Sequence, residues 1–97
     1  MWASATLEIR LRIPLGDSLK AKRSAIRPIV EGARRRFGVA AAEVDDQDTH
    51  DRATLVFAAV GTGSGQVTDT LHAVDRFVWS FPEIEVVDTD LVWLDTA

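Results

Sequence analysis

The run Ala5-Thr6-Leu7-Glu8-Ile9-Arg10-Leu11-Arg12-Ile13 decides the fold class, because it alternates strictly between apolar and polar side chains. Every odd-numbered residue in the run is apolar, and every even-numbered residue is polar or charged. This period of two is typical of a strand with one buried face in an antiparallel or mixed sheet. The sequence therefore predicts a half-buried strand over residues 5–13.

Two amphipathic helices are predicted from apolar side chains that recur with the helical period. The first covers residues 19–37, and its apolar stripe consists of Leu19, Ile26, Val30, Ala33 and Phe37. The second covers residues 66–81, and its stripe consists of Val67, Leu71, Val74, Val78 and Phe81. Ser18 or Asp17 can cap the first helix, and Gly38 ends it. Pro28 lies opposite the first stripe, so we expect it to bend the helix without interrupting it.

Three further strands are predicted over residues 39–44, 53–60 and 84–94. The segment 53–60 is apolar on both faces, which is typical of a central strand. In the last strand the apolar phase changes between Val86 and Val87, and such a change indicates a bulge.

The resulting β-α-β-β-α-β order predicts one ferredoxin-like α+β domain over residues 1–97, a four-stranded sheet with both helices on one face. The other sheet face is left open and includes apolar side chains of the segment 53–60. We therefore expect this face to be shared between copies of the chain, in a dimer or larger homo-oligomer.

The composition excludes several classes of chemistry. The chain has no cysteine, so disulfides, thiol catalysis and cysteine–zinc sites are ruled out, and a reducing compartment is favoured. The segment 1–4 has neither the basic start nor the apolar run of a signal peptide, and no stretch approaches the roughly 18 apolar residues of a membrane span. We expect a cytoplasmic protein without a membrane partner.

Charge is divided sharply along the chain. Residues 1–37 carry nine basic and three acidic side chains, a net charge of +6, whereas residues 38–97 carry two basic and twelve acidic side chains, a net charge of −10. Such asymmetry suggests an anionic partner for one surface.

The first predicted helix carries the strongest candidate site. Lys20, Arg23, Arg27 and Arg34 fall within a band of about 60° around the helix axis, with Arg35 close by. A basic helical stripe can follow phosphates, each contact gaining affinity by counterion release. The alternative is a solvated face that keeps the domain in solution or pairs with the acidic half of the chain.

Two loops offer weaker candidates. The segment 46–52 could hold a cation on its oxygens or support a His–Asp pair, but its spacing follows no established ligand loop, and a turn with local hydrogen bonds is the simpler interpretation. The segment 61–65 is rich in glycine and precedes a helix, where backbone N–H groups can hold phosphate. The dinucleotide fingerprint fails there because Gln66 occupies the third glycine position. We predict no catalytic, cofactor-binding or metal-binding residue.

Other surfaces rank lower as partner sites. An RNA recognition motif stacks bases on aromatic side chains of its two central strands, and that aromatic pattern is absent here. Trp79 lies off the apolar stripe of the second helix, so it is either an interface residue or packed against its neighbours.

Over nearly its whole length the chain resembles the YlxP-like family, a group of small bacterial proteins of unknown function. The resemblance is carried by Leu7 to Pro14, by Ser18-Leu19-Lys20-Ala21-Lys22-Arg23, and by Ala42-Glu43-Val44, Gln47-Asp48 and Arg52-Ala53-Thr54. An aromatic residue is common in the family where Thr49 or His50 stands here. The resemblance implies a ferredoxin-like fold and a genomic setting beside genes of translation initiation and ribosome maturation.

Two functions follow as hypotheses. The leading one is a non-enzymatic accessory factor that contacts ribosomal RNA or a ribosomal subunit through the basic first helix. The alternative is a homo-oligomeric interaction module that binds a protein or a small molecule. An enzyme is third, because the segment 14–17 offers no anion-holding arginine with a polar partner.

Overall fold

A computed structural model describes residues 1–96, with side chains described through Leu94. The described residues form four strands and two helices in the predicted β-α-β-β-α-β order. Their bounds are β1 Ala3–Arg12, α1 Leu19–Phe37, β2 Ala40–Val44, β3 Arg52–Gly61, α2 Ser64–Trp79 and β4 Glu85–Thr96. The ferredoxin-like α+β fold is thereby confirmed.

The strands form one antiparallel sheet in the order β2-β3-β1-β4. β3 pairs with β1 over its whole length, from Ala3 opposite Gly61 to Arg12 opposite Arg52. On its other side β3 pairs with the short strand β2. The central position predicted for the doubly apolar segment 53–60 is therefore confirmed, and β2 and β4 are the two edges.

The predicted irregularity in β4 lies where the apolar phase changes. Arg10 pairs with Asp88, but the next residue, Leu11, pairs with Val86, so Val87 is the extra residue of a bulge. Val87 is exposed, whereas Val86 packs against the core. The bulge thus lets both halves of β4 keep their apolar side chains on the covered face.

One hydrophobic core joins the covered sheet face to both helices. It contains the odd-numbered residues of β1, with Leu55 and Phe57 of β3 and four side chains of α2. The α2 members are Val67, Leu71, Val74 and Val78, as predicted from their spacing. Both helices therefore cover the same face of the sheet.

The apolar stripe predicted for α1 is displaced in the structure. The buried residues of this helix are Lys22, Ile26, Ile29 and Ala33. Val30, which was expected in the core, is only partly buried beside it. The prediction counted apolar residues alone and so excluded Lys22, whose side chain occupies the inward position one turn before Ile26. Including Lys22 rotates the buried face by about 40° around the helix axis.

The ends of α1 and its proline agree with the predictions. The Ser18 hydroxyl accepts a hydrogen bond from the Ala21 N–H, and Gly38 closes the helix in the left-handed conformation with a φ of 66°. The helix continues through Pro28, which is exposed. Water can therefore satisfy the carbonyl group that the proline leaves without a partner.

We expect Ile29→Ala to destabilise the protein by about 2–5 kcal/mol, the usual cost of emptying a fully buried aliphatic site. Val30→Ala is the matched control, and its cost should be clearly smaller because Val30 remains partly in solvent. Urea denaturation of both variants measures the difference. Equal losses, or a larger loss for Val30→Ala, would contradict the rotated position of α1.

Candidate nucleic-acid interface

The inner side of α1 is fixed by a buried lysine. Lys22 is only 1 % exposed, and its Nζ donates hydrogen bonds of 2.7 Å to the carbonyl oxygens of Asp46 and Thr49. Glu43 Oε2 lies 2.6 Å from the same Nζ and supplies the opposite charge. That carboxylate oxygen has no hydrogen bond of good geometry, so the third contact is an ion pair rather than a directed bond. The ammonium group thus ties α1 to β2 and to the loop that follows β2.

The segment 46–52, a candidate cation site in the sequence, binds a positive group of the chain itself. The loop does present oxygen atoms to a positive charge, but the charge is the ammonium group of Lys22. Asp45 and Asp46 have positive φ values, and the Thr49 N–H donates back to the Asp46 carbonyl, which closes the turn. The turn with local hydrogen bonds is therefore present, and the acceptors of these bonds are backbone carbonyls.

His50 does not form the catalytic pair that the sequence left open. Its Nδ1 is in hydrogen-bond contact with the carbonyl oxygen of Gly16, in the turn before α1. A side chain at Gly16 would collide with the backbone of this loop, since an added Cβ would overlap the His50 carbonyl oxygen. His50 therefore secures the packing of one loop on another.

The outer side of α1 carries the predicted basic residues. Lys20, Arg23, Arg27 and Arg35 are exposed. Arg34 is also exposed but is anchored, because its Nε and Nη2 both donate to the carbonyl oxygen of Ala41 on β2. The ion pairs found among the described side chains include none of these five residues. Their positive charge is therefore available to a partner.

Three of these arginines border a groove between α1 and the free edge of β2. The groove has a volume of about 280 Å³, and the residues lining it are Arg23, Ile26, Arg27, Val30, Glu31, Arg34, Ala42 and Glu43. Lys20 and Arg35 lie outside it. The structure thus divides the five predicted residues into three at the groove and two elsewhere on the helix.

Basic residues of the open sheet face are placed differently. Arg10 lies 2.6 Å from Glu8 and 3.1 Å from Asp88, and Arg12 lies 3.9 Å from Glu85. These arginines are neutralised by neighbouring carboxylates, whereas those of α1 are not. The unpaired positive surface is thus confined to one side of the domain.

In the glycine-rich segment 61–65, the hydrogen-bond donors of Thr62 are occupied by the side chain of Gln66, the residue that follows the segment. Gln66 Oε1 accepts from the N–H of Thr62 at 3.0 Å and from its hydroxyl at 3.2 Å. The carboxamide occupies a backbone donor that a phosphate would need. The structure therefore offers no support for an anion site at this loop.

Among the side chains described through Leu94, no three histidine or carboxylate groups converge so as to hold a metal ion. Over the same part of the chain, neither helix is long and apolar enough to cross a membrane.

Fold and surface together define a small ferredoxin-like α+β protein with an arginine-lined groove beside its first helix. The chain belongs to the family described as "Protein of unknown function (DUF503)", which matches residues 5–91. It is 37% identical over 76 residues to "Uncharacterized protein YlxP" of Bacillus subtilis (strain 168), covering 78% of this chain and 83% of that protein. The YlxP-like resemblance seen in the sequence is thereby confirmed.

A solved structure supports the fold independently of sequence. The chain is similar to "De novo designed protein Foldit4", with a TM-score of 0.56 and 13% identity over 97% of this chain and 99% of that one. At this identity the likeness concerns the fold alone.

Lys22 fixes the position of α1 against β2 and the loop that follows β2. We therefore expect Lys22→Met to destabilise the protein by about 3–5 kcal/mol, because it leaves the largely buried Glu43 carboxylate without its partner. Lys20→Met is the matched control two residues away and should change stability by no more than about 0.5 kcal/mol, because Lys20 is exposed. Chemical denaturation measures both. A Lys22→Met protein as stable as the control would contradict a structural role for the ammonium group.

Proposed function

We propose that this protein is a non-enzymatic accessory factor that contacts ribosomal RNA or ribosomal particles through α1. The single observation that carries the proposal is the set of exposed basic side chains on this helix that have no carboxylate partner among the described residues. Each unpaired cation can neutralise a phosphate and release a counterion, which adds to the affinity for RNA. The ribosomal setting is what the family resemblance implies, and a protein that contacts ribosomes would act in the cytoplasm.

The division of charge along the chain supports RNA binding through one face of the protein rather than nonspecific adhesion of RNA to its whole surface. The chain as a whole carries a net charge of −4, so a nucleic acid is repelled by most of its surface. The acidic residues Asp88 and Asp90 belong to β4, at the far edge of the sheet from β2. An RNA that binds this protein would therefore contact the unpaired cations of α1.

The open sheet face is a poor RNA platform by comparison. On this face Glu8 lies opposite Asp90 and Arg10 lies opposite Asp88, so three of these four side chains are carboxylates, which repel phosphate. The neighbouring positions on β3 are Val56 and Thr54, neither of which can stack a base as an aromatic ring does. This supports the helix as the contact surface.

The test replaces Arg23, Arg27 and Arg35 together by alanine and measures binding to purified ribosomal subunits and ribosomal RNA over a range of salt concentrations. The variant should bind more weakly, and the slope of log affinity against log salt should fall by roughly 0.7–0.9 for each lost phosphate contact. All three side chains are exposed, so the fold should be retained.

The matched control replaces Arg10, Arg12 and Arg52 by alanine. It makes the same change in net charge on exposed or half-exposed side chains of the other face. Its RNA affinity should remain near that of the wild type. If both triple variants lose affinity equally, or if the wild type shows no salt-sensitive binding, the proposal is wrong.

A second candidate function, a homo-oligomeric interaction module, is favoured by exposed apolar side chains around β4. Val92 is 45% exposed, Trp93 41% and Leu94 53%, and Val60 of β3 is 74% exposed. Val92 and Val60 lie on the open sheet face, opposite Thr6 and Ser4 of β1. Trp79 is also exposed but belongs to α2, so it is a separate apolar side chain that a protein partner could contact on the helical side.

Light scattering at micromolar concentration tests this candidate. A mass above the 10.6 kDa of one chain is expected, and Val60→Lys with Val92→Lys should restore the monomer by placing charges in the contact. A wild-type protein that remains a monomer at these concentrations would remove the argument for self-association through the sheet.

A further inference from the structure

The groove between α1 and β2 differs chemically from the rest of the basic surface. Besides its three arginines it contains the partly buried side chain of Val30 and contacts Ile26 and Ala42. A stripe that only followed phosphates would need no apolar floor. Here the cations stand at the rim of an indentation of about 280 Å³.

We propose that this groove receives an unpaired nucleotide, with its base against the apolar floor and its flanking phosphates on the arginines. The inference rests on the proposed RNA contact and names the RNA feature that the contact recognises. Unpaired bases can leave the stack and can be held between apolar side chains and the planes of arginine guanidinium groups. A paired base inside a helical stem could not enter the groove.

The position of the cations fits this occupant. Arg23 and Arg27 are one helical turn apart, and Arg34 is about 10 Å further along the axis at 1.5 Å per residue. The three therefore border the groove along a length of about 16 Å, enough for a nucleotide and the phosphates on both sides of it.

Arg34 is held in place before any ligand arrives. The Ala41 carbonyl accepts from its Nε and Nη2, which leaves the Nη1 donors for a phosphate. A guanidinium group already fixed at the rim loses less conformational freedom on binding than a mobile one. The same hydrogen bonds occupy an outward carbonyl of β2, so this edge is less available for strand pairing with another protein.

Two carboxylates also line the groove, and they differ in whether their charge can act on a bound nucleotide. Glu43 is engaged with Lys22, so its charge is compensated. Glu31 is exposed and has no ion-pair partner among the described side chains. A carboxylate at this rim can accept from the amino groups of a base and repels phosphate from its own end of the groove.

The experiment compares three labelled RNA hairpins with the same stem by fluorescence anisotropy at low ionic strength. One is fully paired, one has a single unpaired nucleotide, and one has an abasic nucleotide at that place. The wild-type protein should bind the hairpin with the unpaired base at least about fivefold more tightly than the other two, the low end of what one base contact contributes.

Two arginine variants test whether the preference for the unpaired base depends on the groove. Arg27→Ala, at the groove, should abolish the preference for the unpaired base as well as weaken binding. Arg35→Ala, on the same helix but outside the groove, should weaken all three hairpins by the same factor. Both side chains are exposed, so neither substitution threatens the fold. Val30→Ser, which makes the floor polar without changing charge, should also reduce the preference.

The outcomes separate this inference from the proposed function. Salt-sensitive binding of equal strength to all three hairpins would retain the RNA contact and overturn the groove. A preference that survives Arg27→Ala unchanged would also overturn it. If no hairpin binds, and ribosomal RNA and subunits do not bind either, the proposed function and the inference fail together.

Discussion

The buried ammonium group of Lys22 is the constraint on which the rest of the structure depends. A charge in an apolar interior is costly unless it is fully compensated, and here two backbone carbonyls and one carboxylate surround it. Because these partners come from β2 and from the loop after it, the compensation can form only when α1 lies at one rotation and one height against the sheet. The residue therefore selects a single packing of helix on sheet, which an apolar side chain would specify less strictly.

That rotation also determines the outer surface. With Lys22 pointing inward, Arg23, Arg27 and Arg34 lie roughly 100–140° away around the helix axis. This places them beside the edge of β2, where Arg34 reaches the Ala41 carbonyl. One rotation of α1 therefore both buries the Lys22 ammonium group and places the arginines at the groove beside β2. Gln47 adds a further tie, since its Nε2 donates to the Glu43 carbonyl and connects the loop to β2.

The sequence predicted the elements of the fold because its periods are clear and local. The bulge at Val87 followed from a change of phase, and the ends of α1 followed from Ser18 and Gly38. The inward position of Lys22 could not be predicted in the same way, since a lysine is normally assigned to the surface. The signal was nevertheless present, because Lys22, Ile26, Ile29 and Ala33 have regular helical spacing. The groove was not predictable, since β2 meets α1 only through tertiary packing.

The segments that carry the family resemblance acquire a physical explanation from these contacts. Ser18 caps α1 and Lys22 enters the core, while the segment 42–49 supplies the carboxylate and carbonyls that receive it. Most of the recognisable sequence is thus explained by architecture, and it would persist whatever the protein bound. Arg23 and Arg27 are different, because they are exposed and make neither an ion pair nor a side-chain hydrogen bond among the described residues. These two cations contribute little to folding, yet they lie together at one groove. Binding of a partner is the best explanation for their presence.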